Sequence, residues 1–244
     1  MRNVRGCCFG LVVAAIVSGA AGAAVTTTIV DVPTRDATQR FLYVHPDAPV
    51  ANLVFLPGTN GILSITNDGS MPTLAGRCAP FIRNRDAFAA RGFALALVDQ
   101  TSDLKIRQYA DIREVVRYMR GRDNVPTWIV GGSASTAAAL DFAVDLPPDV
   151  PMGVIIFSPN KPDLVRAALV QRPTLLIFHS DDALAAPFVD PLFAALTSVP
   201  VKERIGLAGG STGECGGYHL FMGIDAEFVA AVAGFIDQHN PTRR

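Results

Sequence analysis

A serine lies at the centre of a run of small residues that separates an apolar segment from a helix-forming one. The run is Gly131-Gly132-Ser133-Ala134-Ser135, and it follows Trp128-Ile129-Val130. A tight strand-to-helix turn needs small residues two positions before and after its serine, and Gly131 and Ser135 fill them. Such a turn exposes the hydroxyl and points the positive helix N-terminus at a developing oxyanion. The pattern predicts that Ser133 is a nucleophile, with an N-capping serine in a glycine-rich turn as the alternative.

A serine nucleophile needs a base, and His219 is the candidate among four histidines. It follows Gly216-Gly217-Tyr218, between the last predicted strand and the last predicted helix. His45 and His239 are interpreted as ordinary surface residues, and His179 as a loop-packing residue. The position of His219 therefore predicts a general base that takes the serine proton.

The acid that orients the base is predicted just past the apolar run Leu175–Phe178, where Asp181 and Asp182 follow. Catalytic groups gather at the carboxyl ends of such strands. The spacing favours Asp182, and Asp181 stays the alternative. The chain order Ser133, Asp182, His219 is expected when the three groups lie at successive strand ends of one sheet. The sequence thus predicts that they converge on one rim of the molecule.

Other chemistries lack their motifs. The sequence has no Gly-x-Gly-x-x-Gly after a strand, no phosphate-binding Gly-Lys-Ser/Thr and no His-Glu-x-x-His. Its histidines and cysteines are few and scattered, and its carboxylates form no evident cluster. We therefore expect neither a cofactor nor a metal.

Composition limits the class of protein and its partners. The 244 residues carry 21 Lys+Arg against 22 Asp+Glu, a net charge of −1. Half of the residues are hydrophobic and 18% are charged, which excludes a disordered chain. A nucleic-acid partner is not expected, because no basic excess is present to neutralise phosphates.

The elements that would position the three groups are short apolar strands alternating with helix-length segments. The predicted strands are Thr26–Val30, Phe41–Val44, Asn52–Leu56, Phe93–Val98, Thr127–Val130, Val154–Phe157, Thr174–Phe178 and Val201–Leu207. The predicted helices are Ile106–Arg120, Ala134–Val144, Asp163–Val170, Pro187–Leu196 and Asp225–Gln238. This alternation predicts the α/β class, with a doubly wound, mostly parallel eight-stranded sheet flanked by helices. Residues 58–78 show no helical period and are expected to form a loop, and no segment has room for a cap domain.

The N-terminus has the pattern of an export signal. Arg2 and Arg5 precede the apolar run Phe9–Val17, and Ala21-Gly22-Ala23 resembles a cleavage site. The nine-residue run is shorter than the roughly 20 residues that span a bilayer, although a membrane anchor or a buried first helix is the alternative. We expect a signal peptide over residues 1–23, a single domain over 24–244 without a membrane span, and a periplasmic or secreted protein.

Removal of residues 1–23 leaves two cysteines, Cys78 and Cys215. Disulfides persist outside the cytoplasm, and both residues lie in loops predicted at the same end of the sheet. A bridge between them is one hypothesis, and two unrelated buried thiols are the other.

These features together resemble a small, lid-less bacterial hydrolase of the α/β-hydrolase superfamily, over essentially the whole mature sequence. Leu56-Pro57-Gly58-Thr59-Asn60-Gly61 occupies the position of that superfamily's oxyanion loop, with Pro57 in place of the usual histidine. The resemblance implies an oxyanion hole made by the N–H groups of Thr59 and Ala134. It also implies that Gly58 lets the backbone approach the substrate and that Asn60 contributes a side chain to substrate binding.

The implied function is an exported serine hydrolase that cleaves small-molecule carboxylic esters through a Ser133-His219-Asp182 triad and an acyl-enzyme. Two alternatives stay open: an amidase or peptidase with the same triad, and a non-catalytic binding or scaffold protein on the same fold. Serine in place of the last glycine of the elbow and proline in the oxyanion loop are the two departures from the superfamily pattern.

Overall fold

The structure is a computed structural model that describes residues 24–34, 38–59, 61–100, 110–147, 152–213 and 215–240. The predicted signal peptide lies outside the described residues. Within them, eight strands form one sheet in the order β1-β2-β4-β3-β5-β6-β7-β8. The strands are β1 Val25–Pro33, β2 Thr38–Pro46, β3 Ala51–Leu56, β4 Phe93–Asp99, β5 Thr127–Ser133, β6 Met152–Pro159, β7 Thr174–His179 and β8 Lys202–Leu207.

The sheet is mixed only at one edge. β1 pairs with β2, and β2 with β4, in antiparallel register; every other pair is parallel. Each predicted strand is present, and the prediction of a doubly wound, mostly parallel sheet is confirmed. The parallel arrangement places the carboxyl ends of β3, β5, β6, β7 and β8 along one rim, where the candidate site lies.

The helices also agree with the predicted alternation of strands and helices. They are α1 Leu74–Cys78, α2 Pro80–Arg83, α3 Arg85–Ala90, α4 Ala110–Arg122, α5 Thr136–Asp145, α6 Leu164–Ala168, α7 Ala186–Ala195 and α8 Asp225–His239. The five predicted helices correspond to α4 to α8, and the predicted beginning of the first, at 106–109, lies outside the described residues. No helix of the described segments is both long and apolar enough to cross a membrane.

The segment 58–78 differs from its prediction as a loop, because it ends in α1. Thr73 caps this helix: its hydroxyl accepts a hydrogen bond from the Gly76 N–H at 3.0 Å. The helix has only five residues and so shows no hydrophobic period. The capping threonine is a local signal of a helix start that the prediction of a loop did not use.

Two hydrophobic cores cover the two faces of the sheet. Side chains alternate along a strand, so Leu53 and Phe55 of β3 belong to one core, whereas Val54 and Leu56 belong to the other. Helices α2, α3 and α8 pack into the first core, and α4 to α7 into the second. All six residues of β3 are buried, and all except Asn52 are apolar, as expected for a strand that is covered on both faces.

Candidate active site

Ser133 lies at the turn between β5 and α5 in a conformation that side chains rarely adopt. Its φ is +51°, in the left-handed region. β5 ends at Ser133 and α5 begins three residues later, at Thr136. Strained backbone of this kind clusters at functional sites. The turn places Ser133 at the sheet rim, where its sequence pattern predicted it, and leaves the residue half-buried.

The glycines before Ser133 are required by close packing. A Cβ on Gly131 would lie 2.5 Å from the Ala139 Cβ and 2.8 Å from the Ser135 carbonyl oxygen. A Cβ on Gly132 would collide with the ring of Phe157. Strand and helix therefore approach as closely as the sequence analysis expected.

Ser135, which replaces the last glycine of the motif, fits without strain. Its φ is −89°, so glycine is not needed there. The buried hydroxyl accepts a hydrogen bond from the Gly132 N–H at 2.8 Å. The same hydroxyl lies 2.8 Å from the carbonyl oxygen of Leu56, to which it can donate. The substitution thus links the turn to the end of β3, and the departure from glycine leaves the geometry intact.

We expect Ser135→Ala to lower the free energy of unfolding by about 1–3 kcal/mol, because the buried Gly132 N–H loses its partner. Urea denaturation of the variant and the wild type measures this difference. Ser198→Ala removes an exposed serine hydroxyl elsewhere and should change stability by no more than about 0.5 kcal/mol. Equal stabilities of the two variants would contradict a structural role for the Ser135 hydroxyl.

Asp182 and His219 are hydrogen-bonded, with 2.8 Å between Asp182 Oδ2 and His219 Nδ1. The carboxylate is buried, with 2% of its side chain exposed, and its Oδ1 accepts the N–H groups of Leu184 and Ala185. Burial raises the pKa of Asp182, but the hydrogen bond and charge of His219 and the two N–H groups outweigh it, and the pKa is lowered. The carboxylate therefore stays ionised at neutral pH.

Asp181, the alternative acid, points elsewhere. Its side chain is 64% exposed, and its carboxylate lies 4.0 Å from Nδ1 of His179 rather than beside His219. Asp182 is thus the carboxylate that the fold brings to His219.

The loop that carries His219 is held by two residues that the sequence analysis missed. His219 lies in a 3₁₀ helix, Gly217–Leu220, and the buried Ser158 hydroxyl donates to its carbonyl oxygen at 2.7 Å. Arg83 donates to the carbonyl oxygens of Leu220 at 2.7 Å and Phe221 at 2.9 Å. The Arg83 guanidinium also bonds Asp225 Oδ1 at 2.7 Å and the Cys78 carbonyl oxygen at 2.6 Å. Nothing in the sequence distinguishes Arg83 from its neighbour Arg85.

Cys78 and Cys215 form a disulfide, with 5.0 Å between their Cα atoms. The bond joins the last residue of α1 to the segment just before the His219 helix. The hypothesis of a bridge is confirmed over the alternative of unrelated thiols.

The candidate oxyanion loop lies directly against Ser133. A Cβ on Gly58 would be 3.1 Å from both the Gly132 carbonyl oxygen and the Ser133 Cβ, and 3.8 Å from the Ala134 nitrogen. Thr59 has φ +62° and, with Gly58 and Ser133, lines a cavity of about 40 Å³. Asn60 lies outside the described residues.

A buried carboxylate that the sequence analysis did not single out fixes the continuation of this loop. Asp99, at the end of β4, accepts the N–H groups of Leu63 at 2.8 Å, Ser64 at 3.2 Å and Ile65 at 2.7 Å. Because three backbone donors share one carboxylate, the segment after Gly61 is tied to the sheet.

Ser133 ends β5 and His219 follows β8, with β6 and β7 between these strands in the sheet, and the contacts of neighbouring residues connect their two loops. Leu220, the residue after His219, lines the same 40 Å³ cavity as Ser133. Ser158, which bonds the His219 carbonyl, precedes Pro159, the residue paired with Ser133 in the sheet. In the described part of the chain, no hydrogen bond joins the Ser133 hydroxyl to His219. Such bonds are often long without substrate and tighten when it binds.

The other histidines are all paired. His179 is buried, stacks on Tyr218 at 4.3 Å and bonds the Gly209 carbonyl oxygen, which agrees with its predicted role in loop packing. His45 and His239 differ from the predicted surface residues, because each is partly buried against a carboxylate, Asp123 and Glu203 respectively. Across the described segments, no three His, Cys, Asp or Glu side chains are grouped to hold a metal ion.

The sheet order, the helices on both faces and the serine at the β5–α5 turn define the α/β-hydrolase fold. Solved structures with this fold match the chain. A PEG-bound cold-adapted esterase from an Arctic intertidal metagenomic library matches with a TM-score of 0.62 and 15% identity, over 88% of this chain and 94% of that one. Dienelactone hydrolase from Anabaena variabilis matches with a TM-score of 0.62 and 14% identity, over 88% of this chain and 99% of that one.

An esterase from Pyrococcus furiosus matches with a TM-score of 0.63 and 11% identity, over 88% of this chain and 93% of that one. No protein-family model matches the sequence, and no curated protein matches it. At these identities the similarity lies in the fold.

Proposed function

We propose that the protein is a serine hydrolase of small-molecule carboxylic esters, with Ser133 as nucleophile, His219 as base and Asp182 as the acid that orients it. The observation that carries this proposal is the 2.8 Å bond between Asp182 and His219, on a loop that shares a cavity with Ser133. The names of the structural neighbours, two esterases and a dienelactone hydrolase, support ester hydrolysis.

In the proposed reaction, Ser133 Oγ attacks the acyl carbon while its proton moves to His219 Nε2. The carbonyl π electrons move to oxygen, and the N–H groups of Thr59 and Ala134 bind the oxyanion, each contributing about 3–4 kcal/mol. The C–O bond to the alcohol then breaks, and the alkoxide takes the proton from Nε2. Water repeats the sequence on the acyl-enzyme, which releases the acid and restores the Ser133 hydroxyl.

Asp182 has two tasks in this scheme. Its Oδ2 accepts the Nδ1–H of His219, which leaves Nε2 free to accept the serine proton. Its negative charge, maintained by the lowered pKa, stabilises the imidazolium that forms during each transfer.

A fluorophosphonate probe tests the proposal, because it phosphonylates a serine only when that serine is activated as a nucleophile. We expect peptide mass spectrometry of the labelled full chain to place the adduct on Ser133. Ser133→Ala should not be labelled, whereas Ser198→Ala, which alters an exposed serine, should be labelled like the wild type. Folded wild-type protein that takes up no probe would overturn the assignment and favour a non-catalytic protein. Uptake on another serine would overturn the assignment of Ser133 and point to a different nucleophile.

We also propose that the protein is exported. The Cys78–Cys215 disulfide supports an oxidising compartment, since such bonds are rare in the cytoplasm. N-terminal sequencing of the protein recovered from the periplasm or medium should give Ala24 as the first residue. A protein found only in the cytoplasm with residues 1–23 intact would argue against export.

A further inference from the structure

The cavity beside Ser133 is small and mostly apolar. It measures about 40 Å³ and is lined by Gly58, Thr59, Ala75, Ala79, Gly132, Ser133, Phe157 and Leu220. One water-sized group needs about 10–15 Å³ of such space, so no more than about three fit. Sites for drug-sized ligands measure about 300–1,000 Å³. The cavity therefore has room for a methyl or an ethyl group next to the reacting carbon, and not for a long chain.

The walls of this cavity are fixed. Ala75 and Ala79 lie one turn apart, joined by the 3.0 Å hydrogen bond from the Ala79 N–H to the Ala75 carbonyl oxygen. The disulfide at Cys78 ties the same short helix to the His219 segment. Phe157 is buried beneath and packs against the ring of Phe81 at 5.8 Å. A longer chain therefore cannot enter without displacing packed elements.

A wider space is lined by His219 itself. This open cleft measures about 200 Å³, and its lining includes Asp181, Thr212, Tyr218 and His219. His219 protonates the leaving alcohol in the proposed mechanism, so the alcohol must lie on the histidine side. The acyl chain is then directed toward the small cavity on the Ser133 side.

We infer that the substrates are esters of two- and three-carbon acids, acetyl and propionyl, carried on a larger alcohol; this inference rests on the proposed function. In each turnover the acetyl or propionyl group passes from the alcohol to Ser133 Oγ and then to water, giving acetic or propionic acid. Ala75 and Leu220 are the residues that determine the acyl length, because their side chains line the cavity.

The test compares kcat/KM for p-nitrophenyl acetate, propionate, butyrate and hexanoate, which share one leaving group. We expect acetate and propionate to react at similar rates and butyrate about tenfold or more slowly, since each unaccommodated methylene costs at least that much.

Leu220→Ala should raise the butyrate-to-acetate ratio of kcat/KM about tenfold. Ala75→Val should lower the propionate-to-acetate ratio. Leu169→Ala, an exposed leucine at the end of α6, should leave both ratios unchanged.

Two outcomes separate this inference from the function on which it rests. Equal rates for acetate and hexanoate that disappear in Ser133→Ala would overturn the acyl-length inference alone. Ester hydrolysis that persists in Ser133→Ala would overturn the proposed function itself. If Leu220→Ala does not fold, Ala75→Val decides the role of the cavity wall, and an unchanged propionate-to-acetate ratio in it counts against the inference.

Discussion

Replacement of Asp182 by asparagine is expected to lower kcat for p-nitrophenyl acetate by about 10⁴-fold while the protein stays folded. An asparagine NH₂ facing Nδ1 favours the His219 tautomer with its proton on Nε2. That nitrogen then cannot accept the Ser133 proton, and no negative charge stabilises the imidazolium. Steady-state kinetics gives the loss in kcat, and circular dichroism verifies that the fold is retained.

Asp181→Asn is the matched control, since it makes the same change one residue away on an exposed carboxylate. We expect it to lower kcat by less than about tenfold, because Asp181 does not contact His219 and exposed charges interact weakly. A large loss of kcat in Asp181→Asn, with little change in Asp182→Asn, would assign the orienting role to Asp181 and refute the triad as proposed.

The pH dependence of stability provides a second signature of Asp182. Its pKa in the folded protein is lower than in the unfolded chain, because the His219 hydrogen bond and the backbone donors outweigh the effect of burial. The unfolded chain therefore binds the proton more readily, so this contribution to stability is complete above about pH 4 and is lost as the pH falls through the lowered pKa. Thermal unfolding between about pH 5 and 2.5 should show a shallower decline for Asp182→Asn than for the wild type. Parallel declines would mean that Asp182 is not stabilised as an anion.

Most of the sheet could be predicted because each strand is marked by a short apolar run in its own sequence. β3 and β4 are buried on both faces, so their sequences are almost wholly apolar runs of strand length. The turn at Ser133 was equally visible, since Gly131 and Gly132 are required by contacts within the strand, the helix and the next strand. Helices α1 to α3 escaped prediction, because four to six residues are too few to display a hydrophobic period.

The support of the site could not be predicted, because it depends on contacts between distant parts of the chain. Arg83 acts on Leu220 and Phe221, 137 and 138 residues further along. Ser158 acts on His219 across 61 residues. The spacing favoured Asp182 but left Asp181 as an alternative, because both follow β7 and the folded loop determines which carboxylate meets the imidazole. The size of the cavity beside Ser133 is likewise set by elements far apart in the sequence.

Loss of the Cys78–Cys215 disulfide is expected to lower the free energy of unfolding by about 2–5 kcal/mol. The bridge closes a loop across a sequence separation of 137 residues, and a long loop restricts the unfolded chain strongly. Urea denaturation of the Cys78→Ala/Cys215→Ala double variant against the wild type measures the loss. The same decrease should appear in the wild type under reductant, and the double variant should not respond to reductant.

At temperatures where the double variant stays folded, loss of the disulfide should lower kcat only slightly, although it lowers the free energy of unfolding. Arg83 still joins the Cys78 carbonyl to the Leu220 and Phe221 carbonyls, and Ser158 still holds the His219 carbonyl. The base therefore keeps its position in molecules that stay folded, and we expect kcat of the double variant to fall less than about tenfold. A larger fall in kcat without a decrease in stability would mean that the bridge acts on the position of His219 rather than on the unfolded chain. Combining the double variant with Arg83→Met tests whether the bridge also positions His219. If the disulfide and Arg83 hold the same loop, the triple variant should lose more activity than the sum of the two separate losses.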